Sequence, residues 1–209
     1  MLNYKIIDNF LNKEDFLKLT TLNLEKINKN EIKIYHNKVF KNKTTQLECL
    51  EVNLIKKLFD NYHEIGISIL KELSPEKVNL WEYSEFHIIQ TGADYKYPIH
   101  RDSPYKLLSG VIYLKPEHNK GTLLYEDKNG KNPKEIQWQE NRGLFFSRSE
   151  ENSYHSYEGD GKSTRLALVY NLMTTQLNEV CRIEEINYYK VKTREFISPF
   201  LHRFFKILL

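Results

Sequence analysis

From residue 78 to residue 174 the chain holds six short runs rich in β-branched and aromatic residues, with no helical period between them. They read VNLWEYSEFHII (78–89), KLLSGVIYLKP (106–116), GTLLYED (121–127), KEIQWQ (134–139), RGLFFS (142–147) and STRLALVYNLMT (163–174). Gly, Pro, Asn and Asp punctuate the gaps, as turns between strands require. Short strands at such spacing, without crossover helices, point to an all-β sandwich or barrel.

Helices are expected on either side of that unit. Tyr4–Ile7 is a strand candidate, after which Asn12 is placed to cap a helix carrying Glu14, Asp15, Phe16, Leu17, Leu19 and Leu22. Leu54, Leu58, Tyr62, Ile65, Ile69 and Leu73 then step by threes and fours until Ser74-Pro75, so this second helix should lay that stripe on a sheet. The apolar tail EFISPFLHRFFKILL suggests a terminal helix, interrupted at Pro199, that packs on the sheet or on a second subunit. The whole is expected to be α+β and a single domain over 1–209. In it, 1–77 gives helical support, 78–175 is the β core, and 176–209 is a C-terminal extension.

Composition narrows the class. A net charge of +3 with 28% charged residues lacks the basic stripe of a nucleic-acid binder. Cys49 and Cys181 form no C-x-x-C pair, which argues against a disulfide framework or a cysteine zinc site and fits a reducing, cytoplasmic setting. The start MLNYKIIDNFLNKED has no apolar leader segment, and no stretch approaches the roughly eighteen apolar residues of a membrane span. No feature marks an oligomeric state.

The chemistry is expected at YPIHRDSPYK, where His100 and Asp102 stand two apart after a strand-like run. In extended chain, residues i and i+2 share a face, so both could hold one ion. A third ligand must come from elsewhere. His36 and His63 sit in the N-terminal part, His118 in a polar turn and His202 in the tail, while His87 reads as a hydrogen-bonded strand histidine. His155 is set apart by the turn and the arginine downstream of it. If EGDGK is a hairpin centred on Asp160, Arg165 becomes the direct cross-strand partner of His155 and shares its face. Two histidines and one carboxylate form the facial triad of non-haem iron(II) oxygenases, which leaves positions open for a 2-oxo acid and dioxygen. The far carboxylate of such an acid needs a cation, and arginine matches it bidentately. Tyr95, Tyr97 and Gln90 lie on the approach, Arg101 and Arg148 could meet an anionic substrate, and Trp81 and Trp138 read as packing.

The ordered set His100-x-Asp102, His155 and Arg165 resembles the 2-oxoglutarate/Fe(II)-dependent dioxygenases of the prolyl-hydroxylase-like group. SGVIYL adds Tyr113 at a place that helps hold the 2-oxoglutarate C5 carboxylate in relatives, GTLLYED resembles the glycine-led strand next in order, and YKIIDNFLNKEDF resembles the family's strand-then-helix entry. The resemblance implies a double-stranded β-helix (jelly-roll) flanked by helices. Fe(II) would sit on His100, Asp102 and His155, and 2-oxoglutarate on Arg165 and Tyr113; ascorbate is an admissible further requirement. It implies hydroxylation of an unactivated C–H bond in a peptidyl (prolyl included) or small-molecule substrate, with release of succinate and carbon dioxide. Ala167 stands where R-x-S relatives have a hydroxyl, Asp102 argues against halogenation, and the missing second arginine after RLALVYNLM argues against base repair. Two other readings stay open: a non-catalytic β-barrel metal- or ligand-binding module and a cupin-type metal-dependent isomerase.

Overall fold

A computed structural model describes residues 3–150 and 152–205, with the backbone alone at 195 and 198–205. Its described residues form twelve strands in two antiparallel sheets, with helices packed outside the larger. β1 (Tyr4–Ile7) precedes helix α1 (Lys13–Thr20), whose cap is Asn12: its side chain accepts from the Asp15 backbone N–H at 2.9 Å. β2 (Ile32–Tyr35), β3 (Lys38–Phe40) and β4 (Thr45–Gln46) come next, then the long helix α2 (Val52–Leu73). The β core comprises β5 (Tyr83–Thr91), β6 (Lys96–His100), β7 (Lys106–Lys115), β8 (Thr122–Tyr125), β9 (Lys134–Ile136), β10 (Gly143–Phe146), β11 (Tyr154–Glu158) and β12 (Arg165–Met173). Helices α3 (Leu177–Ile183) and α4 (Tyr188–Phe205) complete the order.

The larger sheet runs β1-β10-β7-β12-β5-β3-β4, with β2 also on β5; the smaller runs β6-β11-β8-β9. This is an α+β architecture with a double-stranded β-helix core. The two faces of the larger sheet are sorted by the two-residue period of its central strands. Phe86, Ile88, Leu166, Leu168, Tyr170 and Leu172 point outward and join one apolar cluster with Ile55, Leu58, Ile69 and Leu70 of α2. Their alternating neighbours Glu85, His87, Ile89, Thr91, Arg165, Ala167, Val169 and Asn171 face a cavity between the sheets.

Three expectations need correction. The N-terminal part is not only helical, because β2, β3 and β4 extend the larger sheet along β5. The buried stripe of α2 is rotated from the expected one: Ile65 is exposed, and Ile55, Phe59, Gly66 and Leu70 lie inside. The backbone of α4 also continues through Pro199 to Phe205, and residues 206–209 of the tail lie outside the described residues.

Gly66 is where α2 presses closest to the sheet. A Cβ there would stand 2.3 Å from the Tyr170 hydroxyl oxygen, and Tyr170 is fully buried and stacked on Phe86. Helix propensity favours alanine over glycine by about 1 kcal/mol, but overpacking a core costs roughly 1–3 kcal/mol. The ring has nowhere to move, so packing wins. Gly66→Ala is expected to destabilise the fold by about 1–2 kcal/mol, read as a lower midpoint in thermal or urea unfolding.

Candidate active site

β6 and β11 are adjacent antiparallel strands of the smaller sheet, and their register sets His155 directly opposite His100. Directly opposed residues project to one face, which brings the ring centroids to 4.2 Å. β6 ends at His100, and Asp102 lies just beyond it in irregular chain that turns its carboxylate toward the two rings. One ligand atom from each of His100, Asp102 and His155 lies within 4.8 Å of the others, the only such cluster among the described residues.

The donor chemistry of this cluster suits a divalent transition metal. Nδ1 of His100 lies 3.0 Å from the Pro98 carbonyl, and Nδ1 of His155 lies 3.0 Å from the Ser153 carbonyl. A carbonyl only accepts, so each Nδ1 carries the proton and each Nε2 keeps its lone pair for an ion. Burial, reinforced by His155, holds the His100 pKa down at about 3, and burial lowers that of His155 too. Both rings are therefore neutral and ligand-ready at neutral pH. Burial alone would raise the Asp102 pKa. Lys106, His155 and His100 outweigh it and hold the carboxyl far below the ordinary range. Lys106 Nζ donates to Asp102 Oδ1 at 2.7 Å and Ser109 Oγ to Oδ2 at 2.5 Å. A carboxylate offers about four acceptor sites, so these bonds fix the group and leave capacity for a metal. Sequence reading missed both partners. The only signal was Lys106 four residues after Asp102, on an element not recognised as adjoining it.

Arg165 opens β12 at the other end of the cavity. Its side chain lies among three rings, with its guanidinium carbon 3.7 Å from the Tyr157 centroid, 5.1 Å from Trp138 and 5.3 Å from Tyr113. Arg165 is 5% exposed, and among the described residues no carboxylate pairs with it. Among the described residues, its Nε and the Tyr157 hydroxyl are both buried without a hydrogen-bond partner. Burial lowers its pKa, yet a guanidinium is not deprotonated in proteins, so the charge stays.

The expected hairpin between His155 and Arg165 does not form. β11 pairs with β6 and β8 in the smaller sheet, and β12 pairs with β5 and β7 in the larger. Segment 159–164 crosses between sheets and is strapped to the chain before β6 by Gly159 N–H to Tyr95 O and Gly161 N–H to Ala93 O, each 2.9 Å. Both side chains still reach the same cavity, from opposite walls. Tyr113 lies beneath Arg165 with its hydroxyl donating to Thr122 Oγ1 at 2.9 Å and accepting from the Thr122 backbone N–H at 3.1 Å. Thr122 stands in the cavity wall there.

The remaining candidates separate cleanly. Tyr97 and Arg101 line the cavity, and Arg101 is held on Glu150, which also binds Arg194 of α4. Arg148 is fully buried and bonded to Glu184 and Glu150, so it faces no substrate. Gln90 accepts from the Tyr35 hydroxyl at 3.3 Å, Trp138 stacks on Tyr113, and Trp81 packs on His63. His87 is not merely a core histidine, because it lines the cavity. His118 is exposed, and the side chain of His202 lies outside the described set.

A cavity of about 450 Å³ lies between the two antiparallel sheets of this double-stranded β-helix, with a two-histidine, one-carboxylate cluster that could hold a metal ion on one wall and a buried arginine on the other. No family model and no curated protein matches the chain. Among solved structures it is similar to a Pseudomonas putida prolyl-4-hydroxylase, at 14% identity and TM-score 0.57 over 83% of this chain and 94% of that one. It is also similar to a Trichoplax adhaerens prolyl hydroxylase in complex with a hypoxia inducible factor peptide fragment, at 15% identity and TM-score 0.54 over 86% of each chain. A third is HygX from Streptomyces hygroscopicus with nickel and 2-oxoglutarate bound, at 8% identity and TM-score 0.52 over 84% of each chain. The chain has the fold of the 2-oxoglutarate/Fe(II) oxygenases, with prolyl hydroxylases among its structural neighbours. No helix among its described residues is long and apolar enough to cross a membrane.

Proposed function

We propose that the protein is an Fe(II)- and 2-oxoglutarate-dependent dioxygenase that hydroxylates a C–H bond of a peptidyl or small-molecule substrate. The observation that carries this reading is Arg165: a buried guanidinium without a carboxylate partner among the described residues, in the cavity that also holds His100, Asp102 and His155. Leaving a charge buried and unpaired is expensive unless a ligand completes it. A dicarboxylate that met the cluster at one end and Arg165 at the other would do so, which a binding module or an isomerase does not require.

His100 and His155 would hold the metal through Nε2, their Nδ1 protons anchored on backbone carbonyls, and Asp102 would hold it with Lys106 and Ser109 fixing its carboxylate. The loaded ion would supply dioxygen activation coupled to decarboxylation of the oxo acid, yielding succinate and carbon dioxide. Arg165 would grip the far carboxylate bidentately, with Thr122 and Tyr157 beside it in the wall. Tyr113, whose hydroxyl is engaged by Thr122, would act by holding that residue in place. Phe146, Ile89 and Val111 in the same walls would keep water from the reacting centre.

Anaerobic titration tests the reading directly. Adding Fe(II) and then 2-oxoglutarate is expected to give a weak metal-to-ligand charge-transfer absorption, whereas succinate in its place gives none. Metal binding with no such band would point to the isomerase reading, and a band with no succinate release once oxygen is admitted would point to the non-catalytic module.

A further inference from the structure

The cavity has a second polar end that neither the metal cluster nor Arg165 explains. Glu85 on β5 and Asn171 on β12 are direct cross-strand partners, 6% and 1% exposed, and both line the cavity. Asn171 Nδ2 donates to Glu85 Oε2 at 3.0 Å, and His87 Nε2 lies 3.2 Å from the same oxygen. Two acceptors remain. Glu85 Oε1 forms an ion pair with Lys38 Nζ at 3.6 Å, too long for a hydrogen bond, and Asn171 Oδ1 is buried with no partner among the described residues. Of the nearby cations, Lys38 also lies over the Tyr83 ring and Lys106 is bonded to Asp102. Burial would raise the Glu85 pKa, but His87, Asn171 and Lys106 hold it at about 2, so the group is a carboxylate at neutral pH.

The position of this pair is set by the sheet. Asn171 is also the direct partner of Ser109 on β7, and Ser109 holds Asp102. Glu85 thus lies two strand spacings, roughly 10 Å, from the residue that fixes the metal-site carboxylate. Between them and Arg165, the floor is Ile34, Ile89, Val111 and Val169. Adjacent acceptors beside an apolar strip call for a ligand with N–H donors on a hydrocarbon chain. A neutral apolar ligand would leave the Asn171 oxygen without a partner and Glu85 with only a long ion pair on Oε1, and an anion would face the Glu85 carboxylate.

We propose that Glu85 and Asn171 form the substrate subsite, a proposal that rests on the oxygenase reading, and that its occupant carries a protonated amine or guanidinium on a short aliphatic chain. Glu85 and Asn171 grip the cationic nitrogen, the apolar strip takes the methylenes, and the carbon to be oxidised lies toward His100 and Asp102. His87 orients Glu85 and is a positioning residue.

Calorimetric titration of the metal-free full chain tests the subsite without using turnover. Pentylamine and agmatine are expected to bind saturably, pentanol at least tenfold more weakly, and Glu85→Gln should remove the preference while exposed Glu117→Gln keeps it. A capped Ala-Lys-Ala peptide in the same series separates a side chain from a free amine, both of them cationic N–H donors. Pentanol binding as tightly as pentylamine, no saturable heat from any cation, or amine binding unchanged in Glu85→Gln would each overturn the proposal. The ligand series on the unaltered chain stands however the variant folds. Succinate release with Fe(II) and 2-oxoglutarate, measured in parallel, keeps the two readings apart. Turnover without amine binding sinks the subsite alone, and amine binding without 2-oxoglutarate chelation sinks the oxygenase.

Discussion

His100→Ala is expected to abolish Fe(II)-dependent release of succinate from 2-oxoglutarate while leaving the protein folded. Removing an outer partner of a metal-bound histidine typically costs about 10–100-fold, and removing the ligand itself should exceed that, on the order of 10³-fold. His155→Ala should behave alike, since the two rings face each other across the same strand pair. Folding should survive because neither histidine belongs to the apolar cluster under α2, and Asp102 keeps its bonds to Lys106 and Ser109. Far-ultraviolet circular dichroism and thermal unfolding check the fold, and mass-spectrometric detection of succinate checks the activity. Succinate release at the parent rate from folded His100→Ala protein would remove the iron site from that position.

How much of this was legible in the sequence depended on whether a feature was local. The strand-rich span, the Asn12 cap and the 22-residue helix α2 show themselves through composition, capping and period. Residues His100 and Asp102 are adjacent enough to be noticed, whereas His155 was set apart by an expected hairpin with Arg165 that the fold does not contain. The pairing of strands was not legible. EGDGK looks like a hairpin turn, yet Gly159 packs where a Cβ would meet the Ala93 carbonyl oxygen at 2.0 Å, and Gly161 has φ +78°, so the segment is a tight crossover. What decides between hairpin and crossover is the backbone of residues 92–95, about sixty residues of fold away from any pattern in the turn itself.

The strands β2–β4 were hidden for a related reason. They are two to four residues long in a Lys- and Asn-rich stretch, and they are held by backbone bonds, β2 and β3 to β5 and β4 to β3, which carry little side-chain signature. Glu85 and Asn171 were invisible as a pair because each looks like an ordinary polar strand residue. Only the register, 86 positions apart, makes them neighbours. The same holds for Lys106 and Ser109, whose contact with Asp102 depends on how the chain turns after β6. Fold class and the residues of the His100, Asp102 and His155 cluster were therefore open to sequence reasoning, and partnership across sheets was not.

Arg165→Met should separate co-substrate binding from folding more sharply than any other change. In the ligand-free protein the guanidinium is desolvated and has no carboxylate partner among the described residues, so its removal relieves a burial cost. It also forfeits contacts with the rings of Tyr157, Trp138 and Tyr113, worth about 0.5–2 kcal/mol each, while methionine keeps most of the volume. These effects oppose each other, and the ligand-free variant should unfold within about 2 kcal/mol of the parent. The ligand-bound state behaves differently. Losing one partner of a buried charge pair costs about 2–5 kcal/mol, so the apparent requirement for 2-oxoglutarate should rise on the order of 10²-fold or more. Ligand-linked stabilisation, about 2.7 kcal/mol at a hundredfold excess over Kd in the parent, should largely vanish at the same concentration. Arg165→Lys keeps the charge but not the two-pronged geometry and should fall between. Metal affinity, measured with Mn(II) in the absence of oxo acid, should stay within a few-fold of the parent because Arg165 stands on the opposite sheet from His100 and His155. If Arg165→Met kept the parent's 2-oxoglutarate dependence, the buried charge would need another anion to answer it, and the case for a dicarboxylate in this cavity would lose its main support.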